Sequence, residues 1–159
     1  SENGWKSIVD LNLHGTFHCT QAAGRHMRGE DGEGGAIINL SSVNGQHPAP
    51  NESHYGASKA AIIRLTETLA VEWAGEGIRV NCVAPGLIQT PGVAETLGIE
   101  EERMPARETV DRRIGHTEDI ADVVQFLASD AAAFMTGETV TAKGVPRPGT
   151  SFDVDLGLK

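Results

Sequence analysis

Tyr55 and Lys59 stand four residues apart in Tyr55-Gly56-Ala57-Ser58-Lys59, at the opening of an Ala-, Leu- and Ile-rich run, so a helix puts both on one face. An ammonium held beside a phenol stabilises the phenolate. Bringing a phenol from its ordinary value of about 10 to neutrality takes about 4 kcal/mol, at about 1.36 kcal/mol per unit. One cation in a dry cleft supplies much of that, and the product is a group that exchanges a proton with a hydroxyl or carbonyl oxygen. Ser42, thirteen residues before Tyr55, sits just past a short apolar run, where its hydroxyl can hydrogen-bond the same oxygen. A Tyr and a Lys one turn apart usually only decorate a helix, so the pair by itself is a weak signal.

The elements that must position these groups alternate between helix and strand, the pattern of an α/β layer fold. Trp5, Ile8, Val9, Leu11, Leu13, Phe17 and Ala22 recur at mostly helical spacing and predict a helix over about 3–28. Gly29 to Gly35 breaks it, and 36–40 is a nearly continuous apolar run, as for a strand buried on both faces. A polar, proline-marked loop (44–54) leads to a helix over 55–74, stopped by Gly75 and Gly77. A second strand covers 79–83 and closes at Pro85-Gly86. Residues 91–115, charged and without a clean period, read as a helical lid or loop. A helix begins at Thr117, with Glu118 and Asp119 in its first turn and Ile120, Val123, Val124, Phe126 and Leu127 on its buried face. A last strand is expected at 138–142, before a Pro/Gly-rich tail, and all 159 residues read as one domain.

The composition, 39% hydrophobic and 22% charged, is that of a soluble globular chain. No run approaches the roughly 18 apolar residues of a membrane span, and no basic-then-apolar leader is visible, so a cytoplasmic protein without a membrane partner is expected. A net charge of -9 argues against nucleic acid as a partner. Only four of the thirteen basic residues are lysines, which fits a high-salt cytoplasm as well as an ordinary acidic enzyme. Cys19 and Cys82 lie in apolar periodic segments and read as small core residues, not as a disulfide or metal pair. His14 and His18 are one helical turn apart but lack a Glu neighbour and a third ligand, so no metal site is expected. His47 and His54 flank the loop ahead of Tyr55 and read as solvated. By position, Asn44, Gln46 and 91–115 should form the substrate pocket.

Several segments in order give the pair its company. Ile38-Asn39-Leu40-Ser41-Ser42, the Tyr55 to Lys59 box, and Arg79-Val80-Asn81-Cys82-Val83-Ala84-Pro85-Gly86 resemble motifs of the short-chain dehydrogenase/reductase family. Leu11-Asn12-Leu13-His14-Gly15-Thr16-Phe17 is similar to the helix bearing that family's catalytic Asn. Glu118-Asp119-Ile120-Ala121 and Met135-Thr136-Gly137-Glu138-Thr139-Val140 resemble its last helix and strand. The resemblance reaches to about residue 142. It implies a partial Rossmann-type, doubly wound parallel sheet flanked by helices, and a reversible hydride transfer between NAD or NADP and a small secondary alcohol or ketone. Tyr55 is then the acid/base. Lys59 supports it and holds the nicotinamide ribose, Ser42 orients the substrate oxygen, and Asn12 sits at a helix irregularity holding a proton-relaying water. Pro85 and Gly86 shape the nicotinamide pocket, and Ile88 and Thr90 meet the carboxamide. The two long helices resemble the family's dimerisation helices, which implies a homodimer or homotetramer.

The chain also departs from that pattern. The family's sheet opens with a strand, a Gly-rich turn and a helix N-terminus that receives the pyrophosphate. Here Gly29 to Gly35 follows a helix, precedes a strand and is acidic, so it reads as a connection. The domain is expected to be N-terminally incomplete by on the order of 100 residues, leaving the strand at 36–40 with an unpaired edge. Lys143-Gly144-Val145 stands where Asp-Gly-Gly is usual. Two alternatives stay open: a non-catalytic fragment that only oligomerises, and a reductase of enoyl thioesters.

Overall fold

The computed structural model describes residues 1–28, 32–97, 106–109 and 114–145. Helix α1 (Glu2–Val9) passes through one π-helical segment (Asp10–His14) into α2 (Gly15–Met27), so the single helix expected over 3–28 is interrupted at Asn12. Strand β1 (Gly35–Leu40), a 3-10 turn (Val43–Gly45) and the long helix α3 (Ser53–Trp73) follow. Then come β2 (Ile78–Pro85), α4 (Pro91–Leu97), α5 (Thr117–Ala128) and β3 (Thr139–Ala142). Of the expected lid over 91–115, α4 is helical and 106–109 form a turn. Ile114 is buried and Gly115 bridges to Ile88, while 98–105 and 110–113 lie outside the described residues, as does the tail beyond 145.

The strands form one parallel sheet in the order β1-β2-β3. Ile37 faces Val80 and Asn39 faces Cys82 across the first pair, and Cys82 faces Thr139 across the second. Alternation then sorts the side chains onto two faces. On one, Ile37 and Val80 bury against Leu69, Ala70 and Trp73 of α3. On the other, Val83, Ile38 and Val140 pack against Leu127 and Ile120 of α5. Both faces are thus covered by helices, as a parallel sheet requires. Each fully buried Val, Leu or Ile contributes about 1.5–3 kcal/mol.

Polar side chains knit the layers where apolar packing alone would leave register open. Thr20 of α2 donates to Asn39 Oδ1 (3.0 Å), and Asn39 Nδ2 donates to Thr66 Oγ1 of α3 (3.0 Å), all three residues being buried. Arg79 reaches past the sheet to the carbonyls of Leu127 (2.8 Å) and Ser129 (3.3 Å), closing the C-terminus of α5 with a cation where the helix dipole favours one. Gly24 lies under Trp73, whose ring would be 2.6 Å from a Cβ there.

Two expectations about burial are corrected. Cys82 is buried on β2, but Cys19 is exposed, because α2 turns Thr20 and Gly24 inward instead. Phe126 is 43% exposed while its neighbour Leu127 is fully buried, since consecutive helical positions lie about a quarter-turn apart and only one can face the sheet.

Candidate active site

In open parallel sheets the loops at the carboxyl ends of the strands form the binding crevice. Here those ends carry Ser42 after β1, Pro85-Gly86 closing β2 and Lys143 after β3. Tyr55 and Lys59 come to this end on the first two turns of α3, whose helix starts at Ser53, two residues earlier than the sequence pattern marks. The Lys59 ammonium lies 5.5 Å from the centroid of the Tyr55 ring. Their shared helix face is therefore real.

Lys59 is the most heavily tied residue of the site. Its Nζ donates to the Leu40 carbonyl at 3.0 Å, and its own carbonyl accepts from Ser41 Oγ at 2.7 Å. The Leu40 carbonyl belongs to the edge of β1 opposite β2, because Ser41 N–H is the group that bonds Val83. Burial holds the Lys59 ammonium below its ordinary value, with the nearby Cys82 acting in the opposite direction. Burial likewise pushes the Cys82 thiol up.

Ser42 caps the 3-10 turn, its Oγ accepting from Asn44 N–H at 3.2 Å. The turn brings Gly45 so close to α3 that an added Cβ would lie 2.7 Å from the Lys59 carbonyl carbon. Ser41 on one side and Gly45 on the other thus fix the backbone around Ser42 against Lys59. Neither residue stands out in a reading by residue chemistry. The Ser41-Ser42 doublet and the lone Gly45 were the available signals.

Asn12 occupies the middle of the π segment, which packs against α3. Its Nδ2 donates to the Ile8 carbonyl (3.1 Å), and its own carbonyl accepts from Thr16 Oγ1 (2.7 Å). Gly86 donates to the Ala142 carbonyl (2.8 Å), and a Cβ at Gly86 would come within 2.7 Å of Lys143 Cβ, so the close approach of the two strand ends leaves room only for glycine there. Ile88 pairs with Gly115 in an isolated parallel bridge and borders a cavity of about 350 Å³ that also touches Ile114, Ile120 and Lys143. Thr90 caps α4, its Oγ1 accepting from Val93 N–H at 3.3 Å.

Four of the six histidines, those one turn apart in the π segment and α2 and those flanking the loop ahead of Tyr55, divide. His14 bonds Asp10 (2.8 Å), and His18 meets the Phe17 ring edge-on. His47 is exposed. His54 is half-buried instead of solvated, its Nδ1 accepting from Tyr55 N–H at 2.9 Å, which fixes its proton on Nε2. Among the described residues no three His, Cys, Asp or Glu side chains are grouped to hold a metal ion. No helix among them is long and apolar enough to cross a membrane.

This arrangement has close counterparts. Residues 1–144 match the family model described as enoyl-(acyl carrier protein) reductase. The chain is 45% identical over 141 residues to galactitol 2-dehydrogenase of Rhizobium johnstonii, covering 86% of this chain and 53% of that protein. It is 41% identical over 146 residues to dehydrogenase/reductase SDR family member 4 of Sus scrofa, covering 91% and 51%. An NAD+-bound xylitol dehydrogenase superposes with a TM-score of 0.78 at 30% identity, over 91% of this chain and 61% of that one. The chain thus spans about half the length of the curated relatives it matches. With its parallel sheet and its Ser, Tyr and Lys at the carboxyl ends of the strands, the chain belongs to the short-chain dehydrogenase/reductase family.

Proposed function

We propose that the protein of which this sequence is at least a part interconverts a secondary alcohol and a ketone with NAD or NADP, Tyr55 exchanging the proton. The observation that carries this reading is the Lys59 ammonium 5.5 Å from the Tyr55 ring, half-buried beside the carboxyl end of β1. Tyr55 hands its proton to the ketone oxygen, or takes it from the alcohol. Lys59 stabilises the phenolate between those events, and Ser42 donates to the same oxygen. Asn12, in the π segment behind α3, serves the relay that returns a proton to Lys59.

The residues present fit the nicotinamide end of such a cofactor. Lys59 Nζ has one hydrogen bond among the described residues, to Leu40, which leaves two donors for ribose hydroxyls. Pro85 and Gly86, at the carboxyl end of β2, would shape the nicotinamide pocket, with Ile88 and Thr90 meeting the carboxamide. A nicotinamide held there would supply the acceptor or donor for the hydride of the alcohol carbon. The pyrophosphate end finds no counterpart among the described residues. Gly34 and Gly35 have positive φ (75° and 148°) and serve the turn into β1, Gly35 N–H bonding the Gly77 carbonyl.

The same reading makes the protein a cytoplasmic homodimer or homotetramer. Support for assembly comes from the apolar residues left outside: Trp5 (46% exposed), Leu11 (76%) and Phe17 (38%) on α1, the π segment and α2, and Val71 (82%) on α3. Sedimentation equilibrium tests it, and a monomer at micromolar concentration would count against it. For the cofactor, NADH and NADPH are titrated against the chain at low and molar salt, following nicotinamide fluorescence and circular dichroism together. Saturable binding by a folded chain is expected. Native helix content without binding would turn the reading to the alternative, a fragment that only oligomerises.

A further inference from the structure

Beside Ser42 the loop carries a pair whose chemistry the proton transfer does not use. Asn44 Nδ2 donates to Glu52 Oε2 at 2.6 Å. The pair is placed by the catalytic residues themselves: Asn44 N–H bonds Ser42 Oγ, and Glu52 precedes α3, three residues before Tyr55. Its backbone is also held, Glu52 N–H bonding the Ala49 carbonyl (3.0 Å) and its carbonyl accepting from Gly56 (2.8 Å). Asn51 turns the chain back toward Asn44 with φ 67°, a left-handed conformation that Asn tolerates better than most residues.

With one Asn44 Nδ2–H engaged by Glu52, the pair offers one remaining N–H against a majority of acceptors: Asn44 Oδ1, Glu52 Oε1 and the second lone pair of Oε2. An acceptor-rich, anionic flank joined to the Ser42 hydroxyl through the Asn44 backbone N–H selects for donors. We infer that Asn44 and Glu52 read a hydroxyl on the carbon next to the reacting one, so that the substrate is a neutral polyol or hydroxyketone. This rests on the oxidoreductase reading above. A carboxylate or phosphate there meets like charge, and the carbons flanking the ketone of an acyl thioester carry no donor to satisfy these oxygens.

Saturation-transfer NMR on the chain tests it, with xylitol as the neutral polyol and acetoacetate as the anionic ketone without hydroxyl donors. Saturable binding of xylitol, and weaker binding of acetoacetate, are expected. Glu52→Leu should weaken xylitol binding about tenfold or more, the worth of one charge-assisted hydrogen bond, and Glu52→Gln by less. Asn44→Leu should also weaken it, and it guards against a Glu52 variant that does not fold. Xylitol that fails to saturate, an unchanged affinity in folded Glu52→Leu, or acetoacetate binding as tightly as xylitol would each overturn the inference. The NADH titration stands apart: xylitol binding without NADH binding would remove the redox reading and leave a polyol site.

Discussion

Gly45→Ala is the perturbation that most directly tests how the site is held together. A Cβ at this position would lie 2.7 Å from the Lys59 carbonyl carbon, 2.9 Å from Ala60 N and 2.9 Å from the Lys59 oxygen. These are backbone atoms inside a long helix, so α3 cannot yield as a flexible side chain would. Restoring ordinary contact at 3.4 Å requires the 43–45 turn to back away by about 0.7 Å. Overpacking of this kind costs about 1–3 kcal/mol. With a urea slope of about 2 kcal/mol/M, the midpoint should fall by about 0.5–1.5 M at unchanged slope. The displacement also carries Ser42 away from Lys59, and a misplacement approaching 1 Å costs catalysis up to about 100-fold. Gly75→Ala is the control, because nothing lies within 4 Å of its Cβ. It should be neutral or slightly stabilising. Urea unfolding followed by circular dichroism measures both, and kcat in the full-length protein measures the second effect. If Gly45→Ala proves as stable as Gly75→Ala, the turn is not packed on α3 and the account of how Ser42 is placed is wrong.

Three further substitutions probe other supports. Arg79→Met keeps the stem but removes the cation that binds the Leu127 and Ser129 carbonyls, and should cost about 2–4 kcal/mol in urea unfolding; a cost under about 0.5 kcal/mol would mean that α5 is capped by other means. Thr66→Val keeps shape but strips Asn39 Nδ2 of its acceptor in a buried site, for an expected cost of about 1–3 kcal/mol, whereas a neutral result would require another partner for that amide. Lys59 predicts a pH dependence: burial lowers its value in the folded chain below 10.5, so between that lowered value and 10.5 the unfolded chain binds more protons, and this group makes stability rise with pH. The stability of wild type relative to Lys59→Met should therefore climb across that alkaline window, and a difference that stays flat would contradict the burial of the ammonium.

The edge of β1 gives Lys59 a second meaning. The Leu40 carbonyl faces away from β2, and among the described residues its partner is the Lys59 ammonium. A parallel strand pairing there would supply backbone N–H groups to that edge, so such a strand and the Lys59 ammonium would compete for one acceptor.

Much of the site was legible because its signals are local. Helical period alone puts Tyr55 and Lys59 on one face, and a short apolar run ending at Leu40, just before Ser42, marks a strand whose carboxyl end opens on the site. The interruption at Asn12 was implied only by resemblance, and it takes form as a π segment closed by Gly15 N–H on the Asp10 carbonyl. What the sequence did not disclose depends on distances between elements far apart in the chain. Cys19 and Cys82 look alike in sequence, yet only the second reaches the core. Nothing local says that Arg79 closes a helix ending some fifty residues later, that Thr20, Asn39 and Thr66 meet, or that Gly45 touches the Lys59 backbone. The Asn44–Glu52 pair needed the left-handed turn at Asn51 to be seen. Periodicity records which way a side chain points from its own element. Which atoms it then meets is decided by close packing between elements, where a shift of less than 1 Å separates a contact from a clash.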